Sequence, residues 1–375
     1  MLRQQLLRRT AAQAKKGLSQ QKGIHASSIK RILSAPKPRA SPNQERNVNE
    51  TLKFNPPDSV GAREAIIKRL EDAVARGQLP PVRVLRPSVF CLIAAGLIYL
   101  GCAAYEVHQD VKATKAKLPV AARITFDMIE ANGRNTRIQE AFHPMPPFDL
   151  SRPGATWNGL SGPNQVFATI AGLNMGLYAL QATATPSLSY YLSHIPITNR
   201  NYTHFTSMFG HAGLAHLGLN LFALFNFGPA VAKTRTFEAS GSHLTAFYLS
   251  AGLFSSLADH FSSILGAGRS RFIPAMGASG AIMAVLGAFA MSYPNAGVGI
   301  IFIPISIPAQ YGFAALLAYE TYGVVRGFSG SRIAHGAHLG GLLVGSAYVY
   351  INGKKNIWTP TRRFAYNQMA RLNMI

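Results

Sequence analysis

Six apolar segments follow one another closely along the chain, and they limit the possible fold more than any other feature. They lie near residues 165–183, 212–231, 243–262, 277–293, 307–325 and 335–352. Because about 20 apolar residues in a helix cross a bilayer core of about 30 Å, each segment predicts a transmembrane helix. Such helices pack through small residues, since lipid provides little hydrophobic drive between them. The pattern therefore predicts a six-helix membrane bundle over residues 164–352.

An additional apolar run, Pro87–Tyr105, precedes this bundle. It has no charged residue, and Arg83 and Arg86 stand just before it. The run predicts one extra N-terminal transmembrane helix. The predicted fold class is an all-α membrane protein with a six-helix core and this one extra helix.

The remaining segments are polar. Residues 45–86 contain a predicted short amphipathic helix at Arg63–Gln78, because apolar residues recur there on one helical face. Residues 106–163 are rich in proline towards their end and predict a connecting loop region. Residues 353–375 form a basic C-terminal tail without an acidic residue.

The formal net charge of +22 is concentrated partly at the N-terminus. Residues 1–44 contain ten Lys or Arg residues and no acidic residue, a composition typical of a mitochondrial transit peptide. A disordered basic tail is the alternative. Nucleic-acid binding is disfavoured, because the chain shows no folded basic domain with interleaved aromatic residues.

Ser279 stands near the start of the fourth core segment, between Gly277 and Gly280. Taken alone, a serine here is more often a packing residue than a nucleophile. Backbone N–H groups at a helix start have no helical acceptor, however, and they would stabilise an oxyanion formed beside Ser279. Both interpretations stay open from this segment alone.

The sixth core segment contains His335 and His338, followed by Gly341 and Gly345. The two histidines offer a possible metal site, but no carboxylate or cysteine lies near them in sequence to complete it. The G-x-x-x-G spacing allows close approach of a neighbouring helix. His338 would then reach a serine on that helix and act as its general base.

His211 stands just before the second core segment, and His216 and Asn220 lie within it. His216 and Asn220 are four residues apart and share one helical face. Their N–H groups suit the negative charge of a tetrahedral intermediate. Polar contacts between helices are the alternative role.

In combination, three motifs resemble the rhomboid family of intramembrane serine proteases. They are Gly277–Gly280, Ala337–Gly341 with Gly345, and His216–Asn220, and they occur in the family's order on the second, fourth and sixth core helices. The resemblance covers roughly residues 157–352. The extra helix and the transit peptide are similar to those of the mitochondrial branch, which includes presenilin-associated rhomboid-like proteases and fungal counterparts.

The resemblance implies that Ser279 is the nucleophile and His338 its general base, in a dyad without an acid. The sequence has only three acidic residues between 164 and 352, Glu238, Asp259 and Glu320, and all lie away from the motifs in sequence. Whether the fold brings one of them near the motifs stays open. The oxyanion hole would comprise His216, Asn220 and the backbone of Ser279. Four glycines would support the site: Gly277, Gly280, Gly341 and Gly345. No metal or cofactor is expected.

The implied location is the mitochondrial inner membrane. An imported N-terminus, with Arg83 and Arg86 just before the first span, places residues 1–86 in the matrix. Seven spans then place the C-terminus in the intermembrane space, although the basic residues of the tail run against the charge rule. The implied partners are the lipid bilayer and single-span inner-membrane substrates, of the dynamin-like GTPase or imported peroxidase precursor type, and not nucleic acid. Two alternatives remain, a non-catalytic rhomboid-like binding protein and a histidine-lined membrane transporter. The transporter would use His204, His211, His216, His335 and His338.

Overall fold

Helices dominate the computed structural model, which describes residues 60–79, 81–119, 124–142, 151–183, 187–264, 271–300, 303–328 and 333–375. The predicted transit peptide, residues 1–44, lies outside the described residues. Those that are described all belong to one unit, which spans Asn47–Ile375.

The thirteen α-helices of the described ranges are numbered in chain order. They are α1 Val60–Ala75, α2 Leu85–Lys115, α3 Phe126–Phe142, α4 Pro153–Asn158, α5 Gly162–Thr183, α6 Ser187–Tyr191, α7 Thr203–Thr206, α8 Leu214–Ala232, α9 Gly241–Ile264, α10 Ser279–Ser292, α11 Ala309–Arg326, α12 His335–Tyr350 and α13 Thr359–Arg371. Short 3₁₀ turns occur at Pro196–Thr198 and Ser207–Phe209, and a π-helical turn at Lys354–Trp358.

Two described helices, α2 and α8, are long and apolar enough to cross a membrane by length and composition, and α10 is a shorter apolar helix. Helix α2 extends ten residues beyond the predicted end at Tyr105, to Lys115. Its polar extension carries Glu106 and Asp110, both buried. Buried carboxylates need charged partners, and these come from elements that follow later in the chain.

Helix α10 lies at the centre of the core and contacts α8, α9, α11 and α12. Its closest neighbour is α12. A Cβ on Gly341 would overlap the carbonyl oxygen of Gly280, and a Cβ on Gly345 would overlap that of Ala284. These glycines let the two backbones touch, which brings the start of α12 beside the start of α10.

Gly345→Ala is therefore expected to destabilise the protein. The added methyl group has no space, and overpacking of this kind costs about 1–3 kcal/mol. The matched control is Gly176→Ala in α5, where a Cβ meets nothing within 4 Å; there alanine gains up to about 1 kcal/mol of helix propensity. Thermal unfolding in detergent should give a lower midpoint for Gly345→Ala than for Gly176→Ala. Equal midpoints would contradict the close packing of α10 and α12.

The predicted connecting loop region and basic tail are more helical than expected. Residues 106–163 include the end of α2, all of α3 and α4, and residues 353–375 include α13. The physical reason is a buried ionic network that sequence patterning does not reveal. Arg362 of α13 is 1% exposed and contacts Glu106, Asp110 and Glu130. This network holds α13 against α2 and α3.

A short antiparallel hairpin interrupts the predicted all-α pattern between α10 and α11. Its strands are β1 Gly297–Ile300 and β2 Ile303–Pro308, with Gly297 opposite Pro308. The segment is rich in Ile and Val, which favour extended backbone on a partly buried surface. It connects two helices of the bundle and lies away from the serine.

Candidate active site

Ser279 is the first residue of α10, and its hydroxyl contacts a histidine from α12. His338 Nε2 lies 2.8 Å from Ser279 Oγ. Both side chains are partly buried, so they face the interior of the bundle with some access to solvent. The close packing at Gly341 and Gly345 produces this contact, because it brings the two helix starts together. A hydroxyl bonded to an imidazole nitrogen is the arrangement of a base-activated nucleophile.

A third residue, Glu320, completes a hydrogen-bonded chain. Its Oε1 lies 2.9 Å from His338 Nδ1, and its Oε2 lies 2.6 Å from His335 Nδ1. Glu320 is on α11 and only 2% exposed. An ionised carboxylate only accepts hydrogen bonds, so His338 Nδ1–H donates to it. His338 Nε2 is then the acceptor for the Ser279 hydroxyl.

Glu320 corrects the expectation of a serine–histidine pair without an acid. It lies 18 residues before His338, and the antiparallel packing of α11 on α12 brings the two together. Glu320 is far from the motifs along the chain, so the sequence left open whether the fold brings it near His338. The missed signal was its position within an apolar helix, where an ionisable residue is costly and usually functional.

His216 lies beside the serine and presents an N–H group. Its Nδ1 accepts a hydrogen bond from the backbone N–H of Ala212 at 3.4 Å, so the neutral ring carries its proton on Nε2. A Cβ built on Gly277 would lie 2.8 Å from His216 Nε2 and 3.6 Å from Ser279 Oγ. The imidazole and the hydroxyl thus border the same small space. The helix start adds the backbone N–H of Ser279, which has no helical acceptor.

Gly277 is required here for two reasons. Its φ of +132° is a conformation that residues with a side chain rarely adopt. A Cβ would also lie 2.7 Å from the His216 ring. Gly277 therefore makes room for His216, whereas Gly280 faces Ser255 of α9 and lies farther from the backbone of α12. The expected space for the His338 helix comes from Gly341 and Gly345 instead.

Asn220 is buried on the same helix as His216. Its side-chain Nδ2 donates to the carbonyl oxygen of His216 at 3.0 Å. One of its two N–H groups is thereby used within the helix, and the second one is the group that an oxyanion would need. The structure brings together Ser279, His338 and His216, and places Asn220 one turn away.

His211 packs beside His216, with ring centroids 5.2 Å apart. Burial lowers the pKa of His211 to about 4, and neighbouring His216 contributes to this shift. The His211 ring is therefore neutral near pH 7 and adds no positive charge beside His216.

Four of the five histidines proposed for a transporter lie around Ser279, and the fifth, His204, lies elsewhere. His335 and His338 converge on Glu320, His211 pairs with His216, and His204 belongs to a separate cluster with His194 and His260. His335 and His338 contact Glu320 through their Nδ1 atoms, and His338 Nε2 contacts Ser279. This arrangement matches nucleophile activation better than metal passage.

Comparison with known proteins agrees with the geometry. A family model described as Rhomboid domain matches residues 198–355. Presenilin-associated rhomboid-like protein, mitochondrial, of Rattus norvegicus is 28% identical over 304 residues, which cover 79% of this chain and 74% of the relative. The Homo sapiens protein of the same name is 27% identical over 303 residues, with the same coverage.

A fungal relative is also similar. Rhomboid protein 1, mitochondrial, of Saccharomyces cerevisiae is 26% identical over 213 residues, which cover 55% of this chain and 56% of the relative. The matched region of the family model contains Ser279, Glu320 and His338. The chain is therefore similar to the rhomboid family over residues 198–355, and the relatives that it matches over a longer stretch are mitochondrial rhomboid-like proteins.

Proposed function

We propose that this protein is an intramembrane serine endopeptidase of mitochondria. The observation that carries the proposal is the chain of hydrogen bonds from Ser279 through His338 to Glu320 at the start of α10. Its substrates would be inner-membrane proteins with a single span, of the dynamin-like GTPase or imported peroxidase precursor type. A non-catalytic rhomboid-like protein would have no need for this chain of contacts.

The reaction starts at the Ser279 hydroxyl. Ser279 Oγ attacks the carbonyl carbon of the substrate peptide bond while His338 Nε2 takes the hydroxyl proton. The imidazolium that forms keeps its Nδ1–H on the Glu320 carboxylate, which fixes the ring and balances its charge. Glu320 itself stays ionised throughout.

The tetrahedral intermediate carries a negative oxygen that needs donors. His216 Nε2 borders the space beside Gly277, the backbone N–H of Ser279 at the helix start has no helical acceptor, and Asn220 offers its second N–H from the next turn. Such preorganised donors are each worth about 3–4 kcal/mol of transition-state stabilisation. His338 then gives its proton to the leaving amine, and the acyl group stays on Ser279 as an ester.

Water completes the reaction. A water molecule gives a proton to His338 Nε2 as its oxygen attacks the ester carbon. His338 then returns this proton to Ser279 Oγ as the ester C–O bond breaks, and the product acid leaves. Water must therefore reach the start of α10, and the partial exposure of Ser279 and His338 supports such access. A helical substrate must unwind there, since its backbone groups are otherwise bonded within the helix.

The site lies at the end of the bundle that faces the N-terminal segment. Leu70, Val74, Leu79 and Val82 from that segment pack against Ile195, Ile197 and Phe272, which belong to loops at this end. The start of α10 follows Phe272 by only a few residues. With the N-terminus in the matrix, the active site would open towards the matrix.

The C-terminal helix supports one plus six spans. Helix α13 packs on the far end of α2, where Arg362 contacts Glu106 and Asp110. An odd number of membrane crossings between residues 60 and 359 would place α13 at the end of the bundle opposite the N-terminal segment. In mitoplasts, where the outer membrane is opened and the inner membrane is intact, added protease should therefore degrade a C-terminal tag. A protected tag would contradict this topology.

Protein N-termini in mitochondria provide the experimental test of the function. Mitochondria with wild-type protein should contain new N-termini within or beside single transmembrane segments, and these should be missing with Ser279→Ala. Identical sets of N-termini in the two samples would overturn the proposal.

A further inference from the structure

A second group of histidines lies outside the catalytic site and is almost completely buried. His194 is 1% exposed, His204 is 0% exposed and His260 is 1% exposed. One nitrogen atom of each ring lies within 4.8 Å of those of the other two. They come from a loop, from α7 and from α9, so the fold itself brings together three metal-ligand side chains.

His260 has the tautomer of a metal ligand. Its Nε2 lies 2.7 Å from the backbone carbonyl oxygen of Arg83, which only accepts, so Nε2 carries the proton. Nδ1 therefore presents a lone pair to the centre of the cluster. Ligating histidines typically donate their other N–H to a carbonyl or carboxylate in this way.

His194 has an equivalent arrangement. Its Nδ1 lies 2.8 Å from Thr203 Oγ1, and that hydroxyl donates its own proton to the Arg200 carbonyl oxygen at 2.6 Å. Thr203 is thus the acceptor, and His194 Nδ1 is the donor. The remaining nitrogen, Nε2, lies 3.0 Å from His260 Nδ1. A cation bound between these two nitrogens would replace this contact.

His204 supplies the third nitrogen. Its Nδ1 lies 2.9 Å from Ser256 Oγ, whereas Nε2 is buried and has no hydrogen-bond partner within the described part of the chain. An unpaired buried ring nitrogen costs free energy, and coordination of a metal would satisfy it. The nearby carboxylate of Asp259 interacts electrostatically with His260 and would partly balance the charge of a bound cation.

We propose that His194 Nε2, His204 Nε2 and His260 Nδ1 bind one divalent transition-metal ion of the zinc class. Three imidazoles with one open position are an established zinc ligand set, and small shifts of the rings allow Zn–N distances of about 2.0–2.1 Å. The hydroxyls of Thr203 and Ser256 and the carbonyl of Arg83 orient the three rings.

The ion would stabilise the framework of the catalytic serine. His194 exchanges two backbone hydrogen bonds with Ala275, each 2.8 Å long, and Gly277 N–H donates to Ser207 O at 2.9 Å. The segment leading into Ser279 is thus bonded to the loop that contains His194. A metal at the cluster would join this loop to α9 and to the residues before α2. Its role is structural, because none of its ligands reaches Ser279.

Zinc binding by the purified full chain tests this inference. The detergent-solubilised protein is treated with a chelator, dialysed against Zn²⁺ and desalted. Its bound zinc is then measured by elemental mass spectrometry. Wild type and Ser279→Ala should each retain one zinc per chain, so the result does not depend on proteolysis. His204→Gln should retain none. His108→Ala removes an exposed histidine of α2 and should bind as wild type does.

Ser256→Ala is a milder variant in case His204→Gln fails to fold. It removes only the hydroxyl that orients His204, and it should weaken zinc binding about 10- to 100-fold. Added zinc should raise the thermal unfolding midpoint of wild type, and raise that of Ser256→Ala less at the same concentration. The inference is overturned if folded wild type retains no zinc, or if Ser256→Ala and a folded His204→Gln bind zinc as tightly as wild type.

Discussion

Ser279→Ala is expected to abolish cleavage of a single-span substrate by the purified protein while leaving the fold intact. In the proposed reaction the hydroxyl oxygen forms the covalent bond to the substrate, and no other described side chain occupies its place next to His338. Loss of a catalytic serine typically lowers kcat by about 10⁶-fold, which places any remaining activity below detection. Cleavage is measured with purified enzyme and substrate in detergent or vesicles.

The matched control for this variant is Ser346→Ala. Ser346 is on α12, and its hydroxyl donates to the Leu342 carbonyl oxygen of its own helix at 2.8 Å. Removal of that hydroxyl should leave cleavage close to the wild-type rate. Retained cleavage by Ser279→Ala would show that another residue acts as the nucleophile.

Glu320→Gln is expected to lower kcat by about 10²- to 10⁴-fold, the range associated with general acid–base catalysis. Glutamine retains the shape of the side chain and an oxygen that accepts from His338 Nδ1–H. It removes the negative charge that stabilises the imidazolium, and its NH₂ group faces a donor, His335 Nδ1–H. Because Glu320 does not touch the substrate, KM should remain nearly unchanged.

Two further variants test whether Glu320→Gln lowers kcat through His338 or through a general effect on folding. Glu320→Asp retains the charge and should recover part of the lost kcat. Glu238→Gln makes the same chemical change at a residue that pairs with Arg134 and Lys354, away from Ser279, and should leave kcat unaffected. Wild-type kcat for Glu320→Gln would mean that this protein works as a serine–histidine pair alone.

The sequence predicts the similarity to the rhomboid family and the residues that meet at Ser279, because these depend on local spacing. Gly341 and Gly345 are one helical turn apart, and their lack of side chains specifies a close contact of α12 with a neighbour. Gly277 and Ser279 lie just at or before a helix start, where unpaired N–H groups are unavoidable. Such features depend only on neighbouring residues, so the sequence predicts them.

The contacts that sequence analysis missed all join residues that are distant along the chain. Glu320 meets His338 only because α11 lies antiparallel to α12. Arg362 is buried only because three carboxylates from α2 and α3 surround it, so its segment looked like an exposed basic tail. Each of these contacts depends on how the helices pack, which periodicity does not specify.

The central claim is that His338 activates Ser279 as a nucleophile. The most direct measurement is mass spectrometry of the purified, cleavage-competent protein after reaction with a fluorophosphonate, which forms a covalent bond with activated serines. The account predicts one adduct, on Ser279, which is missing in Ser279→Ala and strongly slowed in His338→Ala. An adduct on a different serine, or an adduct on Ser279 that forms equally fast without His338, would contradict it.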